Sequence, residues 1–130
     1  MGRNTRPFYM SVPQVQYGLS EEQVHRFVDE FTTRYATQLN EGRDLRFTYE
    51  FELSCLETGL KHFYLGQTYT NSDGEVMTVI DRREDMLVIQ YGDEYYGVDY
   101  YHEDGMEYCV MEHTRWSAAD TTESTTNGER

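Results

Sequence analysis

Two hydrophobic rhythms stand side by side near the start of the chain, and together they restrict the fold more than any other feature. From about Glu21 to Leu39 the apolar residues Val24, Phe27, Val28, Phe31, Tyr35 and Leu39 recur at helical spacing, with Arg26, Asp29, Glu30, Thr33 and Arg34 on the other faces. Ser20 precedes the run as an N-cap, Gln23 stands at capping-box spacing, and Glu21 and Glu22 put negative charge in the first turn. Asn40 to Gly42 supplies the stop. The period then changes to two. Phe47, Tyr49, Phe51, Leu53 and Cys55 alternate with Arg46, Thr48, Glu50, Glu52 and Ser54, which predicts a half-buried strand. The apolar side of that strand is the expected bed for the helix stripe, with roughly 1.5–3 kcal/mol per side chain so buried.

The remainder of the chain reads as β structure joined by turns. Phe8 to Tyr17 is expected as a short strand or extended arm, with Pro13 arguing against a central strand. His62 to Leu65 is a further strand candidate. Asn71-Ser72-Asp73-Gly74 signals a turn, Val76 to Ile80 and Met86 to Tyr91 a hairpin across the charged turn Asp81 to Asp85, and Asp104-Gly105 a turn before Met106 to Met111. Gly66-Gln67-Thr68-Tyr69, the stretch Gly74 to Ile80 and the stretch Met86 to Asp93 together resemble a small SH3-like or Tudor-like barrel over residues 66–108. That resemblance implies a binding module whose specificity lies in loops and aromatic residues. Gly92-Asp93-Glu94 departs from the usual Asp-Gly after the third strand of such barrels. The expected fold class is therefore α+β: one amphipathic helix on an antiparallel sheet, with an SH3-like β-meander in the C-terminal half. A single compact domain is expected over residues 1–116. Residues 117–130 lack apolar periodicity and are expected to form a disordered acidic and polar tail.

Charge narrows the partners. The chain of 130 residues carries 24 acids against 11 bases, a net −13, and Lys61 is its only lysine. Residues 1–65 hold 9 acids and 7 bases, whereas residues 66–130 hold 15 acids and 4 bases. No Lys or Arg occurs from Glu84 to His113. Such a surface repels phosphates, so direct nucleic-acid binding and attachment to an anionic membrane are not expected. A protein partner with a basic or neutral surface, or a second copy of the chain, is compatible with it. The acidic, lysine-poor composition resembles that of small haloarchaeal and haloviral proteins, in whose salt-rich surroundings self-repulsion is screened. Arg3 and Arg6 are followed by no apolar run, so no signal peptide is expected, and no segment reaches membrane-spanning length. The expected location is the cytoplasm or a virion.

The candidate binding residues are aromatic. Tyr91 to Tyr108 holds 6 of the 12 tyrosines, interleaved with acids. Tyrosine rings beside carboxylates attract cationic groups, and tyrosine is favoured at interfaces. Tyr91, Tyr95, Tyr96, Asp99, Tyr100 and Tyr101 are the expected partner-binding residues; core packing of a partly exposed sheet would use the same residues. Cys109 and His113 have zinc-ligand spacing and Cys55 and His62 could complete a site, but there is no Cys-x-x-Cys and free cysteine is commonly a small core residue. No cofactor and no metal is expected. His25 and His102 have no nucleophile beside them in sequence, and no phosphate-cradling glycine loop is present. The function this favours is a non-catalytic protein–protein interaction or assembly component. The alternative is an acidic nucleic-acid mimic acting in anti-defence or regulation. The lysine deficit predicts that the melting temperature rises substantially between low and molar KCl; melting that is unchanged over this range refutes the salt-adapted reading.

Overall fold

In the computed structural model, residues 7–11 and 18–119 are described. The chain is α+β and divides into two compact units, an N-terminal one ending at Thr58 and a C-terminal one starting at Gly59.

The N-terminal unit is helical: α1 (Phe8–Ser11), α2 (Glu21–Arg34), α3 (Ala36–Asn40) and α4 (Arg46–Thr58). The capping box at α2 forms as expected. Gln23 N–H donates to Ser20 Oγ at 3.1 Å and Ser20 N–H to Gln23 Oε1 at 2.8 Å. The expected single helix is interrupted at Tyr35, which leaves helical geometry with φ −108° and ψ 26°. Tyr35 is fully buried, and its hydroxyl donates to the Glu52 carboxylate. Phe8–Ser11 is helical rather than extended, and residues 12–17 lie outside the described residues.

The largest correction concerns residues 46–55, which form α4 and not a strand. The buried positions are Leu45, Thr48, Tyr49, Glu52, Leu53 and Cys55, a helical stripe. Phe47 and Phe51 fall on another face and stack on each other at 6.3 Å, as residues four apart on a helix do. The helices therefore pack on one another. Phe27 and Phe31 of α2 meet Tyr49 of α4 at ring separations of 5.5 and 5.3 Å, and Tyr9 of α1 meets Tyr49 at 5.7 Å. Glu52 is tolerated in this stripe because Tyr35 donates to it and Arg34 Nη1 lies 3.7 Å away.

The C-terminal unit contains two antiparallel sheets. One has the order β1-β2-β3-β4, with β1 Thr68–Thr70, β2 Val76–Arg82, β3 Leu87–Tyr91 and β4 Glu94–Val98. The other has the order β5-β6-β7, with β5 Tyr100–Glu103, β6 Met106–Met111 and β7 Thr114–Ser117. Among the described residues no strand pairing closes either sheet into a barrel. His62 to Leu65 is not a strand; only Lys61 makes an isolated bridge, to Met106. Ordered structure passes Trp116, since Ser117 belongs to β7 and Ala118 N–H donates to Glu107 O at 2.9 Å. Residues 120–130 of the expected tail lie outside the described residues.

Alternation assigns the faces. On the first sheet Tyr69, Met77, Val79, Leu87, Ile89 and Val98 are buried. A bulge between Val79 and Asp81 adds one residue to β2. Without it Arg82, three residues after Val79, would face outward; with it Arg82 pairs with Leu87 and turns in. Its guanidinium there grips Glu107 of β6 with both ends, Nη1 to Oε2 at 3.1 Å and Nη2 to Oε1 at 2.6 Å. Nη2 also donates to Phe63 O at 3.0 Å, and Phe63 N–H donates to Glu107 Oε1 at 2.8 Å. His102 Nε2 lies 3.0 Å from Glu107 Oε2, and the Tyr100 ring packs against the guanidinium with its centroid 5.0 Å from Arg82 Cζ. Both charged side chains are buried yet amply hydrogen-bonded, the condition for an interior ion pair to be tolerated. Glu107→Ala strands a buried guanidinium and is expected to cost about 3–5 kcal/mol in urea unfolding. Glu22→Ala, which removes the exposed Arg26–Glu22 pair, is expected to cost under about 1 kcal/mol. Equal small losses for the two variants would refute this account of the second unit.

Candidate functional site

Three hairpin turns decide where the tyrosine- and acid-rich segment presents its side chains. Gly92, at φ 65°, opens the two-residue turn between β3 and β4, the conformation that favours glycine at that place. Asp104-Gly105, both left-handed, joins β5 to β6 as the sequence predicts. Glu112 and His113 also adopt positive φ, 52° and 69°, between β6 and β7, without glycine to ease it.

Of the six expected binding residues, the structure brings Tyr91 and Tyr96 together and disperses the others. Tyr91 and Tyr96 lie on the core-facing side of the first sheet, at the end where the buried row gives out. Their ring centroids are 6.4 Å apart at 76°. Tyr95, 63% exposed, points from the opposite face. Asp99 is exposed in the link between β4 and β5. Tyr100 faces inward against Arg82, and its hydroxyl donates to Glu84 O at 2.8 Å. Tyr101 faces outward on the second sheet and stacks on Tyr108 at 5.5 Å. Adjacent strand residues point to opposite faces, so Tyr95–Tyr96 and Tyr100–Tyr101 are both divided.

Tyr91 and Tyr96 line an open depression of about 580 Å³ with Glu75, Val76, Gly92, Asp93 and Glu94. Among the described residues no Lys, Arg or His lines it. Tyr91 donates from its hydroxyl to Glu75 Oε2 at 2.7 Å, and Tyr96 to Glu94 Oε1 at 3.1 Å. Glu75 is fixed from the other side by Asn71, whose Nδ2 donates to Oε1 at 2.8 Å and whose own Oδ1 accepts from Asp73 N–H and Glu75 N–H. Behind Tyr91 stands the buried Trp116 ring, edge-on at 6.3 Å. The depression is thus walled by two half-buried rings and three exposed carboxylates, and Glu112 adds its field to both phenols. Sequence reasoning found the two tyrosines but not Glu75. The signal for Glu75 lay in the Asn71–Gly74 turn, which folds it back beside the end of β3.

Hydrogen bonding shifts Glu75 and the two phenols in opposite directions. The amide of Asn71, then the hydroxyl of Tyr91, hold the Glu75 carboxyl below its ordinary range. The same bonds raise the two phenols, Tyr91 through Glu75 and Tyr96 through Glu94. A carboxyl lowered on folding contributes stability above its unfolded-state value, and this is lost as pH falls through the folded value. Glu75 therefore keeps its charge to lower pH than an ordinary glutamate does.

The candidate zinc residues do not assemble. Cys55 lies in α4 of the first unit, His62 is buried with its ring 4.4 Å from Tyr64, and His113 is exposed in the last turn. Cys109 is buried on β6, where desolvation pushes its thiol up to about 12. Among the described residues no three His, Cys, Asp or Glu side chains form a group able to hold a metal ion, and no helix is long and apolar enough to cross a membrane. Comparison with family models, curated proteins and solved structures finds no match to this chain. Tyr91→Phe is expected to move the Glu75 carboxyl part of the way back up, Asn71 still holding it, as read from its side-chain carbon shift in an NMR pH titration; an unmoved midpoint would mean that the Tyr91 bond does not form.

Proposed function

We propose that the protein is a non-catalytic interaction or assembly component that docks a basic protein partner at the Tyr91–Tyr96 depression, in the salt-rich cytoplasm of a haloarchaeon or in the virion of its virus. One observation carries this reading: Glu75, Asp93 and Glu94 converge on two tyrosine rings, and no described cation of the chain lines the depression they form. A cation set there meets ring faces and carboxylates together, the pairing that holds positive groups at protein interfaces. The three described arginines of this unit are engaged elsewhere: Arg82 with Glu107, Arg83 with Asp81, and Arg115 with Glu103. A nucleic-acid mimic is a weaker reading, because acids of the arginine-free run sit at separate turns: Glu84 and Asp85 after β2, Asp93 after β3, and Asp104 after β5.

Calorimetric titration of an alternating Arg-Lys peptide into the full chain tests the proposal. Binding is expected to be lost in Tyr96→Ala and to survive in Tyr95→Ala, whose ring lies on the other face. It is also expected to persist in molar salt, where the Debye length is about 3 Å and contact interactions outlast long-range attraction. Equal binding by wild type and Tyr96→Ala would overturn the reading.

A further inference from the structure

The molecule contains a filled counterpart of its open depression. On the outer face of the second sheet Tyr101 and Tyr108 stack at 5.5 Å, and the Arg115 guanidinium lies over the Tyr108 ring with Cζ 4.3 Å from the centroid. Glu103 Oε1 stands 3.8 Å from Arg115 Nη1. Two tyrosines and a carboxylate there hold a guanidinium from β7, in register with the strand that carries Tyr108. The depression at Tyr91 and Tyr96 offers the same chemistry with more acid: two tyrosines and three carboxylates.

The geometry of the rings discriminates among cations. A quaternary ammonium has no hydrogen to donate and is best held by several rings closing around it. Among the described residues two rings line the opening, set at 76° to one another. Beside them are acceptors. Glu94 Oε1 takes the Tyr96 hydroxyl, Glu75 Oε2 takes the Tyr91 hydroxyl, and Asp93 stands exposed at the tip of the turn. A ring face next to carboxylates suits a flat group that stacks and donates sideways at once. Guanidinium does both, presenting five donors in a planar fork, whereas a lysine ammonium is a compact, strongly hydrated point charge.

Resting on the docking role proposed above, we infer that the occupant of the depression is an unmodified arginine side chain of the protein partner, stacked on Tyr91 or Tyr96 and bonded in-plane to Glu94 or Asp93. Val76, 47% exposed at the rim, supplies apolar contact for the methylene stem.

Four peptides identical except for one central residue (arginine, lysine, trimethyl-lysine or citrulline) in a neutral background separate the alternatives. They are titrated into the full chain while the ring resonances of Tyr91 and Tyr96 are followed by NMR. The arginine peptide is expected to shift both rings and to bind at least about tenfold tighter than the other three, a difference of about 1.4 kcal/mol. Glu94→Gln is expected to shrink that margin, and Tyr91→Phe, which keeps the ring, to retain most of it. Trimethyl-lysine or lysine binding as tightly as arginine would overturn the arginine assignment while leaving a cation site in place. No ring shift with any peptide would overturn the docking site itself.

Discussion

The C-terminal unit is organised around one buried ion pair. Arg82 and Glu107 come from different sheets, and the bonds they make reach the 61–65 segment through Phe63 and β5 through His102 and Tyr100. Little of this is interchangeable. The guanidinium fork matches the carboxylate with two bonds, and a backbone amide, a backbone carbonyl and an imidazole add further partners. An interior pair of this kind adds little net stability over an apolar replacement, but it makes departures from one arrangement costly. Register is the property it protects. A slip of one residue in β2 or β6 would bury a charge with no partner.

Inward charges met by partners distant in sequence also mark where the sequence was hard to read. Helix α2 could be read because its signals agreed: a capping box, acids in the first turn, and a continuous apolar stripe to Phe31. The alternation over residues 46–55 misled because a second, helical pattern lay within it, through Leu45, Thr48, Tyr49, Glu52 and Leu53. That pattern includes a glutamate, and a glutamate ordinarily marks an outward position. It is inward here because Tyr35 and Arg34, far off in sequence, meet its charge. Glu107 poses the same difficulty within a strand, being in phase with the buried Cys109 and Met111. Polar residues that behave as core residues acquire that role from partners which local pattern cannot reveal.

The candidate site was half legible for a different reason. Its tyrosines and acids were conspicuous as composition, yet composition carries no direction. Once β4 and β5 are laid out, neighbouring tyrosines part company: Tyr96 turns toward the depression and Tyr95 away from it, Tyr100 toward Arg82 and Tyr101 toward Arg115. Glu75, distant in sequence from that segment, reaches it across the sheet through the Asn71 turn. The result is an acid-walled recess in the half of the chain that carries most of the acid, 15 acids against 4 bases over residues 66–130. Its rings distinguish it from that background, since salt screens the long-range pull of carboxylates more than it weakens a close contact with a ring.

The extra residue in β2 has an implication for descent. Because it alone turns Arg82 inward, straightening that strand would eject the arginine and leave Glu107 orphaned, whereas replacing Glu107 would leave the irregularity with nothing to deliver. The insertion and the two charges form one heritable character, so that lineages diverging from this chain should keep all three together or discard all three together.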